Sequence, residues 1–214
     1  MRNSILIGIF VLSVAAGSPL LFAQSSGVNE IELLKQRVAR LEKQVQEISR
    51  LVEPLKAQQT ADNRRQVLRE KFELKIAADR KNYTREQLRE AEELYQVANQ
   101  KWGSPEATES LQKMMKKYPD INRTGCAALY VAQKTEGDKR ARYLQECIEK
   151  YNDCMYGDGV QVGVYARFLL AEDYREHGET EKANALFGEI ETKYADAVDH
   201  SGRLLVESIK VDTK

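Results

Sequence analysis

Histidine, cysteine and proline are scarce in this chain of 214 residues, at two, three and four residues. The two histidines, His177 and His200, are far apart and neither begins an H-x-x-x-H pair, so a helix-borne zinc site is not expected. His177 precedes Gly178 at an expected helix end, where a cation suits the helix dipole, and His200 falls in a loop near the last helix. The cysteines form no C-x-x-C pair. G-x-S-x-G, P-loop and G-x-G-x-x-G motifs are missing as well. Carboxylates are plentiful but scattered, so none pairs for acid–base work. Asn152, Asp153 and Asp158 border a Gly-rich stretch but lack the spacing of a calcium loop. These gaps point away from an enzyme, a metal and a cofactor.

Charge of one sign is also missing. Lys+Arg and Asp+Glu both number 33, with no polybasic block, so there is no basic field to hold nucleic acid. Charged residues make up 31% and aromatics 7%. With so few prolines and so much Glu, Lys, Arg, Gln, Leu and Ala, the composition is helical, and the expected fold class is all-α.

What is present begins with a targeting segment over residues 1–23. Arg2 supplies a short positive region and Ile5 to Val14 an apolar run, broken by Gly17 and Pro19. Leu21-Phe22-Ala23 resembles a signal-peptidase site, and no Cys follows to carry a lipid. The expectation is a cleaved signal and a periplasmic protein with no membrane attachment afterwards. The alternative is an uncleaved anchor.

Residues 28–56 carry two interleaved series at seven-residue spacing: Ile31, Val38, Val45 and Val52, then Leu34, Leu41, Ile48 and Leu55. Such strict heptads require a supercoil, because a straight helix of about 3.6 residues per turn rotates the stripe away. In a parallel pair Glu30 faces Lys35 and Arg37 faces Glu42, both attractive. β-branched residues at the first core position favour two strands. Arg37-Val38-Ala39-Arg40-Leu41-Glu42 instead resembles the R-h-x-x-h-E pattern of parallel trimers, with Arg37 and Glu42 clasping neighbouring helices. A parallel homotrimer is expected, with a homodimer as the alternative. Pro54 is expected to end or kink the helix, and residues 57–83 to form a separate charged connector with Leu68, Phe72 and Ile76 on one face.

Residues 84–214 read as helical repeats. Lys117-Tyr118-Pro119-Asp120, Lys150-Tyr151-Asn152-Asp153 and Lys193-Tyr194-Ala195-Asp196 share an ending, with tyrosine spacings of 33 and 43 residues. The longer step holds the insertion Met155-Tyr156-Gly157-Asp158-Gly159. Near-periodicity of this kind marks stacked hairpins, none of which can bury its apolar face alone. In the third unit Leu170, Ala171, Tyr174, Gly178, Ala183 and Phe187 look like the tetratricopeptide pattern. Leu94, Ala98, Gly103, Ala107 and Leu111 serve in the first, and Ala128, Ala132, Gly137, Ala141 and Leu144 in the second. Thr84 and Gln87 make a capping box, Ser104-Pro105 opens a helix, and a last helix is expected over 201–210. The first helix of each hairpin lines the concave side. That side carries Arg123, Tyr130, Gln133 and Lys134 in the second unit and Tyr165, Phe168, Glu172 and Arg175 in the third. A mixed apolar and charged groove suits a peptide or an amphipathic helix, although some of these aromatics can equally be core.

Cys126 lies eleven residues before Gly137 and Cys147 ten after it, so antiparallel helices place them opposite each other and a disulfide is expected. Cys154 is then free or joins another chain. Asn82-Tyr83-Thr84 and Asn122-Arg123-Thr124 are glycosylation sequons, relevant only to a eukaryotic secretory source.

A signal peptide, a trimer-type coil and C-terminal tetratricopeptide-like repeats together resemble the periplasmic cell division coordinator family, which works with the Tol-Pal system. The likeness is best over residues 165–210, in Gly178-Glu179-Thr180-Glu181-Lys182-Ala183 and Lys193-Tyr194-Ala195. The chain departs from the family in having a charged helix in place of a Gly/Ser/Ala-rich linker, and Asn152 and Ala195 where the family has Pro. The resemblance implies a trimeric protein that binds envelope machinery and couples outer-membrane constriction to wall synthesis. The expected function is thus a non-catalytic periplasmic adaptor binding envelope proteins or peptides and itself. The alternatives are a structural envelope spacer and a thiol-active protein using Cys154.

Overall fold

The computed structural model describes residues 26–211, with side chains from 30 to 209. The signal segment expected over 1–23 lies outside the described residues. Among those described the chain is all-α: α1 (Ser26–Asn82), α2 (Arg85–Gln100), α3 (Pro105–Lys117), α4 (Asn122–Gln133), α5 (Gly137–Glu149), α6 (Val162–Glu176), α7 (Thr180–Lys193) and α8 (Leu205–Val211). The chain divides into two units, with the boundary at Lys56–Ala57.

In the first unit the heptad residues lie on α1. Ile31, Leu34, Val38, Leu41, Val45, Ile48 and Leu55 are 52–70% exposed, and Val52 is half-exposed. The expected helix end at Pro54 is not observed, because Pro54 sits inside α1. Proline forfeits one backbone bond and clashes with the preceding turn, at about 3 kcal/mol. The flanking turns, rich in Leu, Lys, Gln and Glu, keep the helix running.

In the second unit the C-terminal part of α1 presents Leu68 and Phe72 to Met155, Val198 and Leu204, which together form a small core cluster. The stretch expected as a charged connector helix is part of α1, and its Leu68 and Phe72 pack against the connections that follow α5 and α7. Thr84 caps α2 as expected: its hydroxyl accepts from Gln87 N at 3.3 Å, and the Gln87 side chain accepts from Thr84 N at 2.8 Å. Ser104 caps α3 by accepting from Ala107 N at 3.1 Å, with Pro105 opening the helix.

From α2 to α8 most helices pack on their neighbours in sequence, and α2, α4 and α6 form a row. Because α4 meets α2, α3, α5 and α6, it is buried almost all round, and its Gly125, Ala127, Ala128 and Ala132 allow the close approach. At Gly125 a β-carbon would lie 2.4 Å from Cys154 Cβ and 2.6 Å from Cys154 Sγ. Ala171, Ala183, Phe187 and Ile190 join α6 to α7 in a second cluster, closed by Leu205 and Ile209 of α8.

Two loops repeat one design. Met155 bridges Gln161 and Val198 bridges Leu204, each antiparallel, at the same 43-residue step that separates Tyr151 from Tyr194. The hydrogen bonds match: Val162 N donates to Cys154 O and Leu205 N to Ala197 O; Tyr156 N donates to Val160 O and Asp199 N to Arg203 O. Gly159 and Gly202 hold equivalent positive φ values of 96° and 84°. The second loop displaces the expected start of the last helix from Ser201 to Leu205.

Candidate partner-binding cleft

The row α2, α4, α6 walls an open cleft of about 690 Å³. Tyr95 and Asn99 come from α2, Arg123, Tyr130 and Gln133 from α4, Arg140 from α5, and Tyr165 and Leu169 from α6. Three more lining residues come from connections: Trp102 after α2, Tyr156 in the first bridged loop and His200 in the second.

The rings brace one another edge to face. Trp102 meets Tyr130 with centroids 4.1 Å apart, and His200 meets Tyr156 at 4.9 Å and Tyr165 at 5.3 Å. Such contacts place positive ring edges against negative ring faces. Their polar tips turn into the protein: Tyr130 OH accepts from Gly103 N at 2.9 Å, and Tyr156 OH donates to Cys126 O at 2.8 Å. Burial pushes the Tyr95 phenol up to about 12 and Tyr156 well above its usual value, so both remain neutral hydroxyls.

Each basic side chain lining the cleft has a carboxylate partner. Arg123 Nε donates to Glu92 at 2.8 Å and stacks 4.5 Å from the Tyr95 ring centroid. Arg140 Nε donates to Asp173 at 2.6 Å. His200 Nδ1 lies 2.8 Å from Asp158 Oδ2. For Asp158 burial acts upward, but the bonds from His200 and Val160 N outweigh it, and its carboxyl sits below the usual range.

Of the groove residues expected from sequence, Arg123, Tyr130, Gln133 and Tyr165 line this cleft. Lys134 stands at its edge with Nζ 4.3 Å from the Trp102 ring centroid. Phe168 stacks on Tyr165 at 6.1 Å and tilts against Phe187 at 6.2 Å, so it packs with the second core cluster. Glu172 and Arg175 pair with each other, and Arg175 lies 5.7 Å from the Phe187 ring centroid; neither lines the cleft. Sequence reading missed Tyr95, Asn99, Trp102, Arg140, Tyr156, Leu169 and His200. Trp102, the one tryptophan of the chain, is 56% exposed; its being single and lying just before the Gly103-Ser104-Pro105 turn was the signal visible in the sequence.

The expected Cys126–Cys147 disulfide is not formed: both thiols are buried and free, and Cys154 is free and half-buried. Cys126 Sγ instead points at Met155 O, 3.5 Å away. Burial pushes Cys126 and Cys147 far up and Cys154 to about 11, which leaves all three protonated near neutral pH. Among the described residues no group of His, Cys, Asp and Glu is arranged to hold a metal, and no helix is long and apolar enough to cross a membrane. Comparison with family models, curated proteins and solved structures gives no match to this chain.

Proposed function

We propose that this chain is a non-catalytic, self-assembling adaptor of the bacterial periplasm. Its heptads join parallel copies, as a trimer or a dimer. Its tetratricopeptide-like hairpins take up a segment of an envelope protein, in cell division or outer-membrane maintenance. The observation that carries the reading is the cleft: a largely apolar, aromatic wall shared by three alternate helices, with its charges already paired. Aromatic and Arg side chains of this kind dominate protein interfaces. Several weak clefts on one oligomer bind a multivalent partner by avidity. The heptads and the resemblance over residues 165–210 support the oligomeric and envelope parts of the reading.

The test has two arms. Sedimentation of the mature protein with and without residues 30–55 should give an oligomer and a monomer; a monomer in both sinks the assembly half. Cross-linked partners recovered from envelope extract should fall with Trp102→Ala and Tyr165→Ala. Recovery unchanged by both sinks the cleft half and leaves a structural spacer.

A further inference from the structure

Leu68, Phe72, Lys75 and Asp79 recur at helical spacing, so one face of α1 carries all four. Leu68 and Phe72 meet Met155, Val198 and Leu204. Lys75 Nζ lies 3.8 Å from Asp153 Oδ2. Asp79 accepts from Asn122 N at 3.0 and 3.2 Å, at the start of α4, where Ile121 supplies no side-chain cap. A carboxylate there satisfies an orphan donor and suits the positive end of the helix.

The residues that α1 touches have near neighbours in sequence that line the cleft. Asn122 is followed by Arg123 and Met155 by Tyr156, and Val198 stands two residues before His200. The first bridged loop alternates as an extended chain does. Gly157 and Gly159 lie against Phe72 and Leu68, while Tyr156 OH reaches Cys126 O and Asp158 holds His200. Asn122 knits the set together, because its buried amide bonds both N and O of Met155. One thin layer of backbone thus carries α1 on one side and part of the cleft wall on the other.

The hold on α1 is light. Leu68 is the one buried side chain among its described residues, whereas α4 buries ten of twelve. Among the described helices none packs along it. Lys75 and Asp153 are 40% and 71% exposed, so their ion pair adds little. Elements with few buried apolar contacts open locally at far less cost than the whole fold. Tyr83 and Thr84 alone join α1 to α2 and form the pivot for such an opening.

We infer that residues 68–79 of α1 are a strap that sets the cleft. Docked, the strap holds Arg123, Tyr156 and His200 in place through Asn122 and the two bridged loops. Released, it lets both loops and the first turn of α4 relax, and the cleft loses that wall. Linkage makes the effect reciprocal: a partner seated in the cleft tightens the strap, and whatever lifts the strap weakens the partner's hold. The regulatory part rests on the cleft being the partner-binding surface and specifies how that surface is controlled.

Hydrogen exchange of the full mature protein, read by mass spectrometry, tests this without a ligand. Peptides over 68–79 report the strap. Peptides over 154–162 and 197–205 report the loops, whose amides at Tyr156, Val162, Asp199 and Leu205 are hydrogen-bonded. Phe72→Ala lightens the strap and should speed loop exchange about tenfold. His200→Ala removes a ring on the cleft side and should speed strap exchange to a similar degree. Gly178→Ala strains a turn elsewhere and should leave both sets at wild-type rates. Loops indifferent to Phe72→Ala, a strap indifferent to His200→Ala, or Gly178→Ala speeding both sets as much, overturns the inference. If Phe72→Ala loses its helical signal, the His200→Ala arm decides alone. Strap and loops that move together while partner recovery ignores Trp102→Ala and Tyr165→Ala leave the coupling standing and remove the adaptor reading. Recovery that depends on both residues, with no joint movement, removes the coupling alone.

Discussion

His200 Nδ1 lies 2.8 Å from Asp158 Oδ2, joining the two copies of the bridged loop across 42 residues of sequence. The same imidazole edges onto Tyr156 and Tyr165, so one ring ties both loops to the cleft. Both partners of the polar contact are over 40% exposed, so it contributes about 1 kcal/mol or less. The expected result of His200→Ala is therefore small in stability and larger in the cleft. Urea unfolding should shift little, while Trp102→Phe with Tyr165→Trp, used as a local reporter, should show a more solvent-exposed site once His200 is removed. An unchanged reporter would mean that His200 does not organise the cleft.

Two glycines separate backbone strain from crowding. Gly178 has φ 77°, and a β-carbon added there would meet nothing within 4 Å, so Gly178→Ala should cost only the left-handed penalty, about 1–2 kcal/mol. Gly159 has φ 96°, and a β-carbon there would sit 3.0 Å from both Cβ and Cδ1 of Leu68. Gly159→Ala should add about 1–3 kcal/mol of overpacking to a similar penalty. Denaturant unfolding should rank Gly159→Ala below Gly178→Ala. Equal losses would mean that Leu68 yields without cost.

Local signals were legible in the sequence because local chemistry decides them. The Thr84 box, the Ser104–Pro105 start and the positive φ of Gly178 each depend on a few adjacent residues. The leucine, phenylalanine and isoleucine face of α1 was visible too, but not what covers it. That depended on the bridged loops, whose two copies share Tyr-x-Asp and a glycine but little else. The cleft was half legible. Period alone put Arg123, Tyr130, Gln133 and Tyr165 on the first helices, whereas Trp102, Tyr156 and His200 arrive from connections that have no period. Asn122 shows the limit of motif reading. It heads a sequon, yet it is 4% exposed, and its amide both donates to Met155 O at 2.8 Å and accepts from Met155 N at 2.7 Å. It pins the first bridged loop to α4 and is no acceptor for a glycan.

Two carboxylates should impose opposite pH slopes. Burial pushes Asp79 above 3.8 despite bonds from Asn122 N at 3.0 and 3.2 Å and the charge of Lys75. A raised acid favours the folded state at low pH, and its contribution is lost as pH rises through the folded value. Asp79→Asn keeps an acceptor for Asn122 N, removes that slope, and should leave stability near neutral pH equal or higher. Asp158 is lowered, so its contribution is present above the unfolded value and lost as pH falls through the folded one. Asp158→Asn should flatten the acid side instead. Urea midpoints across the acid range check both, and slopes of the same sign would contradict this assignment.

The thiols should be slow. Cys154, held at about 11, is expected to alkylate only as pH climbs toward that value, and Cys126 and Cys147 only on unfolding. Mass spectrometry after timed iodoacetamide treatment in native buffer and in urea distinguishes them. Fast labelling of Cys154 near neutral pH would revive a thiol chemistry.

Among the described residues, most of the exposed large hydrophobic side chains belong to the heptad face. Seven of its residues are 52–70% exposed on α1. Burying one such side chain is worth about 1.5–3 kcal/mol, whereas bringing chains together costs about 4–15 kcal/mol once. Four heptads on each of two or three chains exceed that cost. Val45→Asp with Ile48→Asp would bury two unpaired carboxylates per chain in the middle of the face, a cost large enough that association should be abolished rather than weakened. Most helical stability comes from packing of the apolar face rather than from propensity, so the helical signal from this segment should fall along with the oligomer. Wild-type melting should depend on protein concentration, and melting of the double variant should not. Concentration-independent melting of the wild type would mean that the face is covered in some way other than by copies of itself.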